Sequence, residues 1–168
     1  MKIFITGMPA CGKTTLIKQL MKKIKEYVAL ISEEIRTKGI RKGFSLSLIL
    51  DGKKVETNYL ALTEKIENKK AIKFRKYFVF IDNIDEIIAG LEKIWQSREI
   101  IFIDEIGKME FFSEKFKKFI NTLLKSNRIV IATLHRVYVK KFEKYGKIYW
   151  LTKENFDEVF KEIYKAIS

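Results

Sequence analysis

A short glycine-rich segment near the start of the chain constrains the fold more than any other feature. The residues from Gly7 to Thr14 fit the pattern G-x-x-x-x-G-K-[ST] at every fixed position. An apolar run, Ile3 to Ile5, precedes the segment, and apolar residues at helical spacing follow it: Leu16, Ile17, Leu20, Met21 and Ile24. A strand, a glycine loop and a helix in this order indicate a phosphate-binding loop (P-loop).

The residue types of this loop suit the binding of phosphate. Glycines let the backbone turn so that several N–H groups face phosphate oxygens, and the helix N-terminus adds a partial positive charge. We predict that Lys13 reaches the β- and γ-phosphates and that the Thr14 hydroxyl binds Mg²⁺. The predicted nucleotide-binding residues here are Gly7, Met8, Pro9, Ala10, Cys11, Gly12, Lys13, Thr14 and Thr15.

A second motif combines an apolar strand with two carboxylates. Ile100 to Ile103 are all apolar, as in a central parallel strand, and Asp104 and Glu105 follow them. This Walker B pattern predicts that Asp104 binds Mg²⁺ opposite Thr14, and that Glu105 polarises a water for attack on the γ-phosphate. Glu110 stays a rival base. The predicted nucleotide-binding residues here are Ile103, Asp104, Glu105, Ile106, Gly107, Lys108, Met109 and Glu110.

The rest of the chain alternates strand-like and helix-like patterns. Two apolar runs, Phe44–Leu50 and Val55–Leu62, flank an Asp-Gly pair, which predicts an antiparallel hairpin. We therefore predict a single α/β domain over residues 1–168, with a mainly parallel sheet, flanking helices and this hairpin as an insertion. Further predicted features are strands at Tyr77–Ile81, Ile129–Ala132 and Ile148–Leu151, and helix caps at Ser113 and Thr152.

One predicted strand has a special place in such a sheet. In sheets of this class, the strand starting at Ile129 often lies between the P-loop strand and the Walker B strand. Thr133 or His135, at its far end, would then sense the γ-phosphate. His135 is the only histidine of the chain, and an ordinary surface histidine is an equally good interpretation.

Charge and cysteine content limit which partners and which cellular location the sequence predicts. Lys+Arg 34 against Asp+Glu 21 gives a net charge of +13, which favours nucleotides, nucleic acid or an acidic membrane as partners. The lysines are spread along the chain, so a solvated surface explains most of them and a nucleic-acid partner stays an open alternative. One cysteine, no signal segment and no bilayer-length apolar stretch predict a cytoplasmic protein without a membrane partner. The sequence does not define an oligomeric state.

Two of the six arginines lie in one polar segment. Arg36 and Arg41 fall between Ser32 and Phe44, where a planar bidentate donor can neutralise charge that develops in a transition state. We predict that both arginines act in catalysis. A basic surface loop is the alternative interpretation.

Together the motifs resemble a known family. The similar segments are GMPACGKTT, SEEIRTKGIRKGF, IDEIGKME and TKEN, which lie nearly from end to end of the chain. They are similar to the small P-loop nucleoside-triphosphatases first noted in thermophiles, which include the human cancer-related nucleoside-triphosphatase. The resemblance implies a RecA-like sheet and slow hydrolysis of ATP, GTP and other nucleoside triphosphates to diphosphate and phosphate with Mg²⁺.

The resemblance also carries residue roles to matching positions. It implies phosphate and metal binding at Gly12, Lys13 and Thr14, and metal and water binding at Asp104 and Glu105. It places four further residues near the active site: Arg36, Arg41, Lys108 and Glu110.

The chain departs from the family pattern at two positions. Family loops often have glycine where Ala10 stands, and an arginine often follows the asparagine of TKEN, where this chain has Phe156. The first departure limits the freedom of the loop, and the second puts any nucleotide contact of that arginine in doubt.

Two other functions stay open from the sequence. A nucleotide, nucleoside or polynucleotide kinase shares the P-loop, and its arginines would cover the phosphates. A nucleic-acid-associated switch would use hydrolysis only to time binding, which the net charge of +13 favours. The Asp104–Glu105 pair favours water as the acceptor.

Overall fold

A nine-stranded sheet forms the centre of the computed structural model, which describes residues 1–168. The strands are β1 (Lys2–Thr6), β2 (Val28–Thr37), β3 (Ile40–Leu50), β4 (Lys53–Leu62), β5 (Ile72–Phe74), β6 (Tyr77–Val79), β7 (Ile100–Ile106), β8 (Ile129–Leu134) and β9 (Lys147–Trp150). The helices are α1 (Lys13–Lys23), α2 (Ile81–Ile94), α3 (Glu114–Lys125), α4 (Val139–Phe142) and α5 (Phe156–Ile167).

The order of the strands across the sheet is β5-β6-β4-β3-β2-β7-β8-β1-β9. The half from β2 to β9 is parallel, and β3 to β6 add an antiparallel extension. The predicted α/β fold with helices on a parallel sheet is confirmed. β8 lies between the P-loop strand β1 and the Walker B strand β7, as expected, so the carboxyl ends of these three strands meet at one edge.

Two apolar layers hold the helices against the parallel strands. Alternate residues of a strand point to opposite faces, so Phe4 packs into one layer and Ile3 and Ile5 into the other. The first layer includes the buried faces of α2 and α3, and the second includes those of α1 and α5. Because both faces are covered, the central strands are apolar at nearly every position.

The antiparallel extension is larger than the single predicted hairpin. The Asp51-Gly52 turn joins β3 to β4 as predicted, with positive φ at both residues. The polar arginine segment is not a loop, because it forms the paired ends of β2 and β3 around Lys38-Gly39. A further hairpin, β5–β6, turns at Arg75 with a φ of 56°. The extension therefore carries the arginine segment out over one edge of the site.

Three local predictions have different outcomes. Ser113 caps α3 as predicted, because its Oγ accepts a hydrogen bond from the Phe116 amide at 3.0 Å. The strand predicted to end at Ile81 ends at Val79, and Ile81 begins α2. Thr152 does not cap α5; Asn155 holds the N-cap position, and the Thr152 hydroxyl accepts from the Asn155 amide in the turn before it.

Candidate functional site

The P-loop joins the end of β1 to the start of α1 and passes close to the backbone after β9. A Cβ on Gly7 would lie 2.6 Å from the Leu151 carbonyl oxygen, so a side chain has no room there. Gly12 has a φ of 106°, a conformation that side chains rarely adopt. Phe156, which replaces the arginine often found in the family, packs its ring beside Gly12 and supplies no cation.

Lys13 is folded back over the loop. Its ammonium donates hydrogen bonds to the carbonyl oxygens of Gly7, at 3.2 Å, and Met8, at 3.1 Å. These neutral acceptors hold the charge where a phosphate chain would lie. Thr14 and Thr15 are exposed on the first turn of α1, so both hydroxyls can reach a ligand at the helix N-terminus.

Ala10 occupies a strained backbone position. Its φ is 61°, in the left-handed region where a Cβ crowds the following carbonyl group. The position at which the family often has glycine is therefore one whose conformation favours glycine. The side chain of Ala10 is exposed, so the strain lies in the backbone and not in packing.

Asp104 is buried at the end of β7 with one oxygen free of protein partners. Its Oδ1 accepts a hydrogen bond from the Thr133 hydroxyl at 2.6 Å, and its Oδ2 is buried without any partner. Burial raises the pKa of Asp104, while the Thr133 hydrogen bond and the nearby Thr14 hydroxyl lower it. Thr133 therefore orients Asp104, and sensing of the γ-phosphate by Thr133 or His135 stays a prediction.

Two further carboxylates flank Gly107 after β7. A Cβ on Gly107 would lie 2.7 Å from Glu110 Oε2 and 2.8 Å from Glu105 Oε1, so any side chain there would enter the space of both. Burial raises the pKa of Glu110 to about 8, and the charge of Glu105 acts in the same direction. The pKa of Glu105 is also raised by burial, and by Asp104, but Lys13 opposes this shift.

Glu105 lies between a cleft and a smaller cavity. The cleft, of about 460 Å³, is lined by Thr14, Lys18, Ser32, Glu33, Glu34, Phe44, Asp104 and Glu105. The cavity, of about 180 Å³, is lined by Ser32, Phe44, Leu60, Phe74, Arg75, Glu105, Lys108, Met109, Glu110 and His135. The structure thus brings the predicted P-loop and Walker B residues to one place, with Glu105 at its centre.

Two predicted nucleotide-binding residues do not face this site. Ile103 and Ile106 are 0% and 1% exposed and pack in the apolar layer with α2 and α3. The register of β7 against β8 shifts between Ile103 and Ile106, where Asp104 and Glu105 lie, and both isoleucines face the same apolar layer. Their side chains line neither the cleft nor the cavity.

The two predicted arginines lie at the rim and do not line the cleft. Both form ion pairs with Glu34: Arg36 Nε lies 2.8 Å from one carboxylate oxygen, and Arg41 holds the other. Glu34 itself lines the cleft, and Arg41 lies 5.5 Å from the ring centre of Phe44, which lines it too. Their catalytic role stays a prediction.

Two cations at the site, Lys18 and Arg75, were not predicted from the sequence. Lys18 lines the cleft and forms an ion pair with Glu33 at 3.3 Å. Its place one helical turn after Thr14 was a usable signal. Arg75 lines the cavity beside Glu105, but only the packing of the β5–β6 hairpin brings it there, and no spacing in the sequence indicates this.

His135 lies among several positive charges. Its pKa is lowered by burial and then by Lys108, Arg136, Lys13 and Arg75. The imidazole is therefore neutral at physiological pH and lines the cavity with the two glutamates. The convergence of cations from four separate segments makes this edge of the sheet attractive to a polyanion.

A P-loop beside a Walker B carboxylate pair, on a parallel sheet of this order, defines a P-loop nucleoside triphosphatase. Comparison with known proteins agrees. A family model described as NTPase matches residues 2–164, and the chain belongs to that family. The resemblance noted in the sequence is confirmed, and the chain is a nucleoside-triphosphate hydrolase.

Individual relatives match along nearly their whole length. Nucleoside-triphosphatase THEP1 of Methanocaldococcus jannaschii is 40% identical, over 99% of this chain and 97% of that protein. The Pyrococcus abyssi protein of the same name is 36% identical, over 99% and 92%. The crystal structure of THEP1 from the hyperthermophile Aquifex aeolicus superposes with a TM-score of 0.79 at 30% identity, covering 97% of this chain and 96% of that one. None of the five helices is long and apolar enough to cross a membrane.

Proposed function

We propose that this hydrolase uses Mg²⁺, acts on several nucleoside triphosphates including ATP and GTP, and employs Glu105 as its general base. The observation that carries the proposal is the position of Glu105. It is the one carboxylate that lines both the cleft with Thr14 and Asp104 and the cavity behind it. A water between these spaces would meet a base on one side and a phosphate chain held by the P-loop on the other.

The residues at the end of β7 fit a magnesium ion. Asp104 Oδ2 is a buried carboxylate oxygen without a partner, which is costly unless a cation binds there. Thr14 lines the same cleft as this carboxylate and supplies a hydroxyl oxygen there. When bound, Mg²⁺ would offset the negative charge of the β- and γ-phosphates.

Different residues of the chain then bind the phosphate chain and activate the water. N–H groups of the P-loop and the Lys13 ammonium hold the phosphate chain, and Lys13 can leave its two carbonyl partners for more negative oxygens. Glu105 orients the water and takes up its proton. Glu110, whose pKa of about 8 keeps it protonated at neutral pH, adds no second negative charge beside the γ-phosphate.

The same contacts explain why a broad substrate range is proposed. The P-loop, Asp104 and Glu105 address the triphosphate and the water, and none of them meets a base edge. We therefore expect ATP, GTP, CTP and UTP to differ by less than about 100-fold in kcat/KM, which corresponds to roughly 2.7 kcal/mol. Location in the cytoplasm also stays a prediction, supported by the single free cysteine.

Single-turnover hydrolysis by two matched variants tests the base. Glu105→Gln keeps the shape and loses the charge, so we expect bound triphosphate to persist and hydrolysis to slow by roughly 10²-fold or more. Glu110→Gln mimics the protonated form and should retain most of the rate. Normal turnover by Glu105→Gln, with an inactive Glu110→Gln, would transfer the role to Glu110.

The same assay distinguishes a kinase. The cavity beside Glu105 could admit a small acceptor, since Phe44, Leu60 and Phe74 give it an apolar wall. Labelled triphosphate should yield inorganic phosphate whether or not nucleosides, nucleotides or oligonucleotides are added. Transfer of label to any of them, faster than to water, would replace hydrolysis as the main reaction.

A further inference from the structure

An exposed apolar surface lies in the P-loop and on β9, the edge strand next to β1. It consists of Met8 and Trp150, and we call it the β9 rim. Met8 is 61% exposed and Trp150 is 54% exposed, while the other tryptophan of the chain, Trp95, is 9% exposed in the core. Large apolar side chains left in water next to a ligand site often mark contact with that ligand.

The sheet places Trp150 on the strand next to the one that leads into the P-loop. Trp150 is the register partner of Thr6, the last residue of β1 before the P-loop, so the indole lies on the same face of the sheet as Thr6. On the other side of β1, Arg136 follows β8 and its Nη1 lies 2.9 Å from the Met8 sulfur. Arg136 therefore lies across β1 from the indole, on the side toward β7.

The direction of a bound triphosphate points its nucleoside toward this rim. The γ-phosphate end lies toward β7, where Asp104 and Glu105 are found. β8 and β1 follow in the sheet, and β9 is the edge strand. A phosphate chain that starts near β7 and crosses the P-loop therefore delivers its sugar and base to the β1–β9 side.

The chemistry of the rim suits a flat ring without regard to its edge. An indole plane stacks on nucleobases, and a thioether packs against aromatic faces. The one amide in the following turn, Asn155, is already engaged: its Nδ2 donates to the Trp150 carbonyl, and its Oδ1 accepts from the Thr152 amide. The rim thus offers stacking surface, and that amide has no free edge to select a base.

We propose that Met8 and Trp150 form the nucleobase platform of this enzyme, with the base stacked on the Trp150 indole. The base can reach the rim only when the P-loop holds the triphosphate, so the inference depends on the phosphate site proposed above. Stacking of this kind adds affinity for every base, which agrees with a broad substrate range.

Tryptophan fluorescence gives a direct test, because the chain contains only two tryptophans. In a Trp95→Phe background, Trp150 is the sole emitter. Non-hydrolysable analogues of ATP and GTP should both change its emission on binding. Inorganic tripolyphosphate, which carries the charge without a base, should compete with them and leave the emission nearly unchanged.

Kinetics of matched variants complete the test. Trp150→Ala should raise KM for ATP and GTP alike by roughly 10-fold, with kcat nearly unchanged, the inhibition constant of tripolyphosphate unchanged, and Trp150→Phe restoring most of the affinity. Tyr59→Ala removes another exposed aromatic, on β4, and should have no effect. If tripolyphosphate competes but Trp150→Ala leaves KM unchanged, the platform is wrong and the phosphate site stands. If tripolyphosphate does not compete at all, both are wrong.

Discussion

The backbone conformation at individual positions limits which residues the P-loop can contain without strain. At the scale of the residue, Ala10 is the clearest case, because its φ of 61° is one that glycine adopts without strain. We expect Ala10→Gly to raise the free energy of unfolding by about 0.5–1 kcal/mol, since relief of strain exceeds the extra entropy of the unfolded chain. Urea unfolding measures the change.

Ala89, within α2, supplies the matched control. The same substitution there removes a helix-forming side chain without relieving any strain, so it should lower stability by about 1 kcal/mol. Equal destabilisation by Ala10→Gly and Ala89→Gly would show that the left-handed conformation of Ala10 stores no strain.

Glu110 makes the stability of the folded chain depend on pH. Its pKa of about 8 in the folded chain lies above the ordinary value of 4.5, so between these values the folded state binds more protons than the unfolded state. Stability should therefore fall as pH rises from about 5 to about 8, by at most about 1.4 kcal/mol per pH unit for this group. Burial shifts Asp104 and Glu105 in the same direction.

Urea unfolding in EDTA across this pH range isolates the contribution of Glu110. Glu110→Gln should flatten the decline, because its side chain cannot titrate. Glu114→Gln is the control: the Lys117 ammonium lowers the pKa of exposed Glu114, so its contribution is lost only on acidification. A decline equally steep in the Glu110→Gln variant would mean that this carboxyl is ionised in the folded chain.

At the scale of the element, the β2–β3 hairpin sets the position of the two predicted catalytic arginines. It holds Arg36 and Arg41 against Glu34, which lines the cleft. We expect Arg36→Ala or Arg41→Ala to lower kcat roughly 10-fold or more while nucleotide affinity changes little. Steady-state kinetics and equilibrium binding separate the two quantities.

Two further arginine variants sharpen this test. Arg128→Ala is the control, because Arg128 is occupied by the Gln96 carbonyl far along the chain from the hairpin. Arg75→Ala tests the rival cation, which lines the cavity with Glu105. An unchanged kcat in both hairpin variants, with a loss in Arg75→Ala, would move the role to the β5–β6 turn.

Elements with strong local patterns were predictable, and those that depend on distant pairing were not. Asp51-Gly52 and Ser113 carry local chemistry that fixes a turn and a helix start, and both predictions are confirmed. β5 is only three residues long and is defined by its pairing with β6, so no periodicity in the sequence predicts it. For the site, the spacing identified the loop and the carboxylates, but the place of Arg75 and the pairing of Glu34 required the assembled sheet.

At the scale of the whole molecule, net charge acts on the rate of encounter. A chain of charge +13 attracts a triphosphate polyanion over distances that salt shortens, from about 10 Å at 0.1 M to about 3 Å at 1 M. We expect KM for ATP to rise several-fold between about 0.05 and 0.5 M salt, with kcat nearly constant. Initial rates at fixed Mg²⁺ measure both.

A nucleic-acid partner would add a second dependence on salt. A gel shift with single- and double-stranded oligonucleotides, with and without nucleotide, should show binding that weakens steeply with salt if such a partner exists.

A KM for ATP that does not respond to salt would mean that charges near the cleft, and not the net charge, govern encounter with the nucleotide.

The position of β1 in the sheet also bears on how the enzyme is made. β1 precedes the other strands of the sheet in the chain, but its two neighbours, β8 and β9, come from the last quarter or so of these residues. The backbone at Leu151, which packs against Gly7 of the P-loop, is therefore synthesised long after the loop itself. Until then β1 is apolar and has no strand to pair with, which makes nascent chains vulnerable to aggregation and leaves the phosphate loop incomplete.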